Sequence, residues 1–266
     1  MKYTDKERKV IMEYKSEIID ACKKCDGTGY DKNEDKCECL HIFNYVKELI
    51  RSNIQNDYWD KLFTTTDIDA SALIIAERYV KNLKTAVKKK MGFVFLGENG
   101  IGKTTLMNII GMSAIIKQYR IFYIRVKEVL DNIFEKDDII KNRIEEADII
   151  LLDELDKIYQ KGDWATHNID DFLRRYLKDK SIIIASNWSE EEIKENFGSS
   201  IYSLLNGYNK FINMTGKDYR KKQNKDWMKR LSDAESIDMK KLKKPSQNWQ
   251  KNKLLKLAKT YDIIVK

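Results

Sequence analysis

The run Phe93-Val94-Phe95-Leu96-Gly97-Glu98-Asn99-Gly100-Ile101-Gly102-Lys103-Thr104-Thr105-Leu106 decides how this chain is read. Its first four residues have the length and β-rich composition of a buried strand. Beyond it, Leu106, Met107, Ile109 and Ile110 fall at helical spacing. Between the two stands Gly-x-x-x-x-Gly-Lys-Thr, in the strand-then-helix setting that the motif requires. Glycines let successive backbone N–H groups turn inward as a nest for phosphate oxygens, where a Cβ would collide. The helix N-terminus adds free N–H groups and a partial positive charge. Residues Gly97 to Thr105 are therefore the expected cradle of a nucleoside triphosphate. Lys103 would reach the β- and γ-phosphates, and the Thr104 hydroxyl would ligate Mg²⁺.

Downstream, strands and helices alternate. A strand is expected at Ile121–Val126, and a helix near 127–134. A charged helix then ends near Glu146. The run Ile149-Ile150-Leu151-Leu152-Asp153-Glu154 reads as a buried strand ending in two carboxylates. A helix over 168–178 leads to the strand Ser181-Ile182-Ile183-Ile184-Ala185-Ser186 and then Asn187. Such alternation implies a parallel sheet covered by helices on both faces, with ligands bound at the carboxyl ends of its strands. The phosphate loop, Asp153-Glu154 and Asn187 all fall at those ends. Asp153 would hold Mg²⁺ through its water shell, and Glu154 would polarise an attacking water. Asn187 would orient that water or the γ-phosphate.

Upstream, Asp67 to Lys90 reads as helical with Asp67 as N-cap. The polar run Ser52 to Asp57 reads as a linker. Before it, Val10, Ile11, Tyr14, Ile18 and Ile19 mark an amphipathic helix over 4–21, and His41–Arg51 marks a second. Between them lie all four cysteines of the chain, Cys22, Cys25, Cys37 and Cys39, with His41 just beyond. Cys-x-x-Cys followed by glycines is a good half of a zinc knuckle. Cys-x-Cys is tighter, so His41 could replace Cys37 or Cys39 as a ligand. Free thiols in a small helical domain are the alternative. Zinc here would be a structural staple.

The chain of 266 residues carries a formal charge of +8, unevenly placed. From Lys217 onward the balance is +10, and before it −2. Lys221, Lys222, Lys229, Arg230, Lys240, Lys241, Lys243 and Lys244 are interleaved with Trp227 and Trp249. Lysines neutralise phosphates and aromatic faces stack on unpaired bases, so the tail suggests a polyanionic partner, with a solvated extension or a protein-docking helix as alternatives. No apolar run approaches the roughly 20 residues needed to span a bilayer. No membrane partner is expected, and a cytoplasmic location is.

The order of phosphate loop, I-I-L-L-D-E, R-R-Y before a strand, S-I-I-I-A-S-N and finally G-K-D-Y-R resembles the AAA+ ATPases of the DnaC/DnaI/IstB group. These are bacterial and phage helicase loaders and transposition helpers. The resemblance covers roughly Tyr58 to Arg220. It implies an α/β fold, in which a P-loop core of parallel sheet flanked by helices (58–220) follows a small N-terminal module, here the helical zinc-binding one (1–51); the basic tail (221–266) does not follow from that core. It also implies ATP as substrate, Asn187 as sensor-1 residue, and Arg220 as a sensor-2 arginine touching the γ-phosphate. The cysteine module is similar to the zinc-bearing domain of DnaI-type loaders, which binds the replicative helicase.

One departure stands out. The segment in which the family carries an arginine finger reads Ser200-Ile201-Tyr202-Ser203-Leu204-Leu205-Asn206, without arginine. Arg174 and Arg175 are the nearest substitutes. Loss of a finger worth about 10³–10⁵ in rate would leave hydrolysis slow or dependent on a partner. The expectation is thus an ATP-dependent loader of a DnaB-type helicase that binds single-stranded DNA and oligomerises when ATP is bound. Its rivals are a transposition helper and a nucleic-acid-binding adaptor with weak ATPase activity.

Overall fold

Alternation along the strands builds the layers. In β1 (Gly92–Leu96), Phe93 and Phe95 turn to one face, Val94 and Leu96 to the other. The same period-two split divides β2 (Ile121–Arg125), β3 (Ile149–Asp153) and β4 (Ser181–Ser186), so both faces of each strand are apolar and both must be covered. In this computed structural model, residues 3–64, 66–135, 137–161 and 163–218 are described.

The strands pair in parallel in the order β2-β3-β4-β1-β5, where β5 is Asn209–Asn213. The phosphate-loop helix α5 (Lys103–Ile116) carries the chain from β1 past β4 and β3 to the far edge at β2. That crossover places the ends of β1, β4 and β3 side by side. The register pairs Leu96 with Ser186, Leu152 with Ile184, and Arg125 with Asp153. The residues that follow emerge on one rim.

One face is covered by α6 (Val126–Glu135), α8 (Asp163–Tyr176) and α9 (Glu190–Tyr208), the last kinked at Gly198. Facing the other are α5 and α3 (Ala70–Lys81), together with the N-terminal helices α1 (Asp5–Lys15) and α2 (Glu38–Arg51). These share one apolar cluster with α5, through Leu49, Val46, Ile109 and Ile110. Charge fastens them further. Arg143 on α7 (Asp138–Glu146) donates to both carboxylate oxygens of Glu7 at 2.8 and 2.7 Å, and Arg51 donates to Glu146 at 2.6 Å.

Several expectations shift. The N-cap of α3 is Asp69 rather than Asp67: its Oδ1 accepts the Ser71 and Ala72 N–H groups, while Oδ2 accepts the Thr215 amide and hydroxyl at 3.0 Å each. The helix read to Lys90 breaks at Asn82 into α3 and α4 (Leu83–Lys88). Residues Ser16–Asp20 form a π-helical turn after α1. The polar stretch after α2 is held down, with Ser52 and Ile54 buried. Strand β5 is an addition, since its five residues hold only two apolar side chains, Phe211 and Ile212. No described helix is long and apolar enough to cross a membrane.

Candidate functional site

The loop between β1 and α5 is wrapped too closely for side chains. At Gly97, with φ of 132°, a Cβ would lie 2.5 Å from the Met214 carbonyl oxygen. At Gly100, with φ of 83°, it would run into the Asp218 carboxylate. Gly102 closes the loop as N-cap of α5, in the left-handed region. Behind the loop, the buried Lys103 ammonium donates to the Gly97 and Glu98 carbonyls at 2.6 and 2.7 Å, and to Asn187 Oδ1 at 2.8 Å. Asn187, from the end of β4, thus meets the phosphate-loop lysine directly.

A second set gathers at the end of β3. The Thr104 hydroxyl donates to Asp153 Oδ2 at 2.9 Å, as does the Tyr123 hydroxyl of β2 at the same distance. The Glu154 amide donates to Oδ1 at 2.8 Å. Burial pushes the Asp153 carboxyl above its ordinary range, against the pull of these donors and of the Lys103 charge. Burial, followed by the neighbouring Asp153 charge, pushes the Tyr123 hydroxyl strongly upward, so it stays a donor. Glu154 itself sits at φ of 59°, a left-handed conformation uncommon for a residue with a side chain.

Lys103, Thr104, Asp153, Glu154 and Asn187 line one cleft of about 420 Å³, and Tyr123 stands outside its lining. It is walled by Asn99, Gly100, Gly102, Lys103, Thr104 and Thr105 on the loop side, and by Asp153, Glu154, Asp156, Lys157 and Asn187 opposite. Asp57, Tyr58 and Lys61 also face it. A glycine cradle, a buried lysine, and a hydroxyl paired to a carboxylate suit a magnesium triphosphate.

Two further residues complete the site without belonging to any sequence motif. Asp156 accepts the Asn187 amide N–H at 2.9 Å and the Asn187 Nδ2 at 2.8 Å. Tyr123 lay inside an apolar strand run. Its hydroxyl in a fully covered strand was the available signal, because a buried phenol needs a partner.

Arg174 and Arg175 stand elsewhere. Arg174 donates to Asp170 at 2.6 Å and to Ser200 at 3.2 Å, while Arg175 donates to Glu145 at 2.7 Å and lies over the Tyr176 ring. Neither lines the cleft of its own chain. Arg220 and the basic tail lie outside the described residues.

The four cysteines converge, with Sγ atoms all within 4.8 Å of one another. Cys22 and Cys37 are 3.9 Å apart, and Cys25 and Cys39 are 3.5 Å apart. A tetrahedral shell with bonds of about 2.3 Å places sulfurs about 3.8 Å apart, so the set is compatible with zinc. The tight Cys-x-Cys spacing works because α2 starts inside it: Cys37 is the N-cap and Cys39 sits in the first turn. His41, a possible substitute on sequence grounds, is exposed and outside the group. At Cys25, Cys37 and Cys39 burial opposes ionisation. At Cys25 the Gly29 N–H, 3.2 Å from its sulfur, and the neighbouring thiols outweigh burial and bring the thiol down to about 7. Cys37 and Cys39 are pushed up, by burial first.

Residues 53–226 match the family of IstB-like ATP binding proteins. The chain belongs to that family. As an IstB-like protein it is 27% identical over 192 residues to the ATP-binding protein of insertion sequence IS5376 from Geobacillus stearothermophilus, an alignment spanning 67% of this chain and 73% of that one. Its fold, a P-loop AAA+ arrangement, is similar to the DnaC helicase loader, with a TM-score of 0.51 at 19% identity over 60% of this chain and all of that one. DnaI is similar too, with a TM-score of 0.52 at 16% identity over 61% and 95%. The cysteine cluster lies ahead of residues 53–226, the stretch of this chain that matches the family.

Proposed function

We propose that the protein is a cytoplasmic ATPase that loads a replicative DnaB-type helicase onto single-stranded DNA. The carrying observation is one cleft that joins Lys103 to Asn187 and Thr104 to Asp153, beside a cysteine module that lies ahead of the family-matched residues 53–226. In this reading, residues 1–51 grip the helicase, 58–220 bind ATP, and the basic tail 221–266 adds contact to nucleic acid.

The chemistry follows from the side chains. Backbone amides from Gly97 to Thr105 bind the phosphates, and Lys103 neutralises the terminal ones. Thr104 and Asp153 would hold Mg²⁺, which when bound supplies charge neutralisation across the β- and γ-phosphates. Glu154 takes a proton from the attacking water, and Asn187, tethered by Asp156, orients that water or the γ-phosphate. Arg220 would sense the γ-phosphate from outside the described residues. With no arginine of the described chain lining the cleft, turnover is slow until a neighbouring subunit, through Arg174 or Arg175, or another partner supplies the missing charge. Zinc held by the four cysteines takes no part in hydrolysis and fixes the module.

The IS5376 relative favours a second reading, a transposition helper acting on duplex DNA. The deciding experiment measures ATP hydrolysis alone, with single-stranded DNA, with duplex DNA and with a hexameric helicase, alongside co-purification with that helicase. Stable helicase binding with stimulation by single-stranded DNA supports the loader. Stimulation by duplex DNA alone, without helicase binding, overturns it in favour of the helper. Background turnover under every condition leaves an adaptor.

A further inference from the structure

Tyr123 belongs to none of the nucleotide-binding motifs, yet it joins the nucleotide cleft to the N-terminal module. It sits on β2, one of the two edge strands of the sheet. The open side of that strand is taken by the chain leaving α2. The Tyr123 amide donates to the Ser52 carbonyl at 2.8 Å, and Asn53 Nδ2 donates to the Tyr123 carbonyl at 3.1 Å. Both backbone groups of one residue are thus held by the exit from the cysteine module. At the other end of the same residue, the hydroxyl donates to Asp153 Oδ2.

The exit is itself firmly seated. Ser52 donates its hydroxyl to the Leu49 carbonyl in the last turn of α2. Ile54 packs against Gly111 of α5, where a Cβ would come within 3.2 Å of it. Trp59 donates its indole N–H to the Ile54 carbonyl at 2.8 Å and packs on Tyr14, with ring centroids 5.9 Å apart. The next residues, Asp57, Tyr58 and Lys61, reach the cleft wall.

We propose that Tyr123 is a positioning residue that sets the plane of the Asp153 carboxylate for Mg²⁺, and that the exit of the cysteine module sets Tyr123. The inference rests on the magnesium–triphosphate reading of the cleft. Three donors fix Asp153: Thr104 and Tyr123 on one oxygen, the Glu154 amide on the other. Only the Tyr123 contact comes from outside the loop and strand of the nucleotide motifs. A phenol ring is rigid, so movement of its backbone moves the hydroxyl with it. Mg²⁺ demands near-ideal octahedral geometry, so a tilted carboxylate binds it more weakly. Linkage is reciprocal: whatever holds the module in this placement favours magnesium–nucleotide, and magnesium–nucleotide favours that placement.

The test uses the full chain and a fluorescent ATP analogue, titrated with Mg²⁺ and with EDTA. Tyr123→Phe keeps the ring and removes only the hydroxyl. Its magnesium-dependent gain in affinity should fall about tenfold, with affinity in EDTA unchanged. Asn53→Ala removes the Nδ2 bond to the Tyr123 carbonyl, at a residue whose φ of 60° also makes Ala strain the backbone, and should lower the same gain by about threefold. Unfolding temperatures without nucleotide report any general loss of stability. A wild-type magnesium gain in Tyr123→Phe, or equal weakening with and without Mg²⁺, overturns the positioning role. An unchanged gain in Asn53→Ala overturns the coupling to the module. A wild-type protein that binds no nucleotide would instead remove the reading beneath.

Discussion

Asp156 holds Asn187 at two points, accepting its backbone amide on one carboxylate oxygen and its side-chain amide on the other. That grip fixes which way the Asn187 amide faces, so that Oδ1 points at Lys103. Lys157, 3.5 Å from Asp156, completes the chain of charge on this wall.

Asp156→Ala releases Asn187 without touching the phosphate loop. Turnover should drop by about tenfold to a hundredfold, because a small misplacement of a positioned group is costly. Nucleotide affinity should stay within about threefold. Leaving the Asn187 N–H groups unpaired should also cost about 1–3 kcal/mol of stability. Asp156→Asn, which keeps one acceptor, should recover part of the rate. Steady-state kinetics beside a binding titration check this; equal loss of affinity and rate would remove the orienting role.

Lys103 and Glu154 should separate binding from chemistry. Lys103→Ala removes the buried ammonium and should abolish nucleotide binding. Glu154→Gln keeps shape and burial while removing the base, and should retain binding while turnover falls by about 10²–10⁴. Single-turnover hydrolysis with a filter-binding assay distinguishes the two. Retained turnover in Glu154→Gln would take Glu154 out of the base role.

Most of this architecture is written in local sequence. The apolar four-residue runs before Gly97, Asp153 and Asn187 identify buried strands, and the motifs at their ends identify the rim, because strand burial and loop glycines are local requirements. Strand β5 was not legible. Its Asn209, Lys210 and Asn213 mask a strand that needs only one well-covered face at the sheet edge. The Asp69 cap escaped because its choice over Asp67 is settled by Thr215, far away in sequence. Asp156 and Tyr123 were hidden for the same reason: each acts through a partner about 30 residues away in sequence, Asn187 for the one and Asp153 for the other. The cysteine spacing was legible as a metal set, but the exclusion of His41 depended on where α2 begins.

Zinc occupancy has its own outcome. Elemental analysis should give close to one zinc per chain. Cys25→Ser or strong chelation should release it and destabilise α1 and α2, since a small module leans on its metal. Hydrogen exchange over residues 5–51 would read this. Native protection in a metal-free preparation would show that the thiols pack without an ion.

The Glu7–Arg143 pair predicts a pH-dependent attachment of α1. Burial alone would raise the Glu7 carboxyl, but the Arg143 hydrogen bonds, with those of Thr4 and the Arg143 charge, outweigh it and hold the group below its ordinary 4.5. A carboxylate whose folded value is depressed contributes stability above its unfolded value, and loses that contribution as pH falls through the folded one. Glu7→Gln should therefore cost about 1–3 kcal/mol at pH 7, where the wild-type pair is charged. The gap between wild type and variant should close as the pH falls below 4.5 and through the depressed folded value, because the wild-type carboxyl is then protonated as well. Thermal unfolding of both proteins across that range measures it. A gap that stays constant with pH would mean that Glu7 holds the helix by packing and capping, and that the charge on Arg143 contributes nothing to docking.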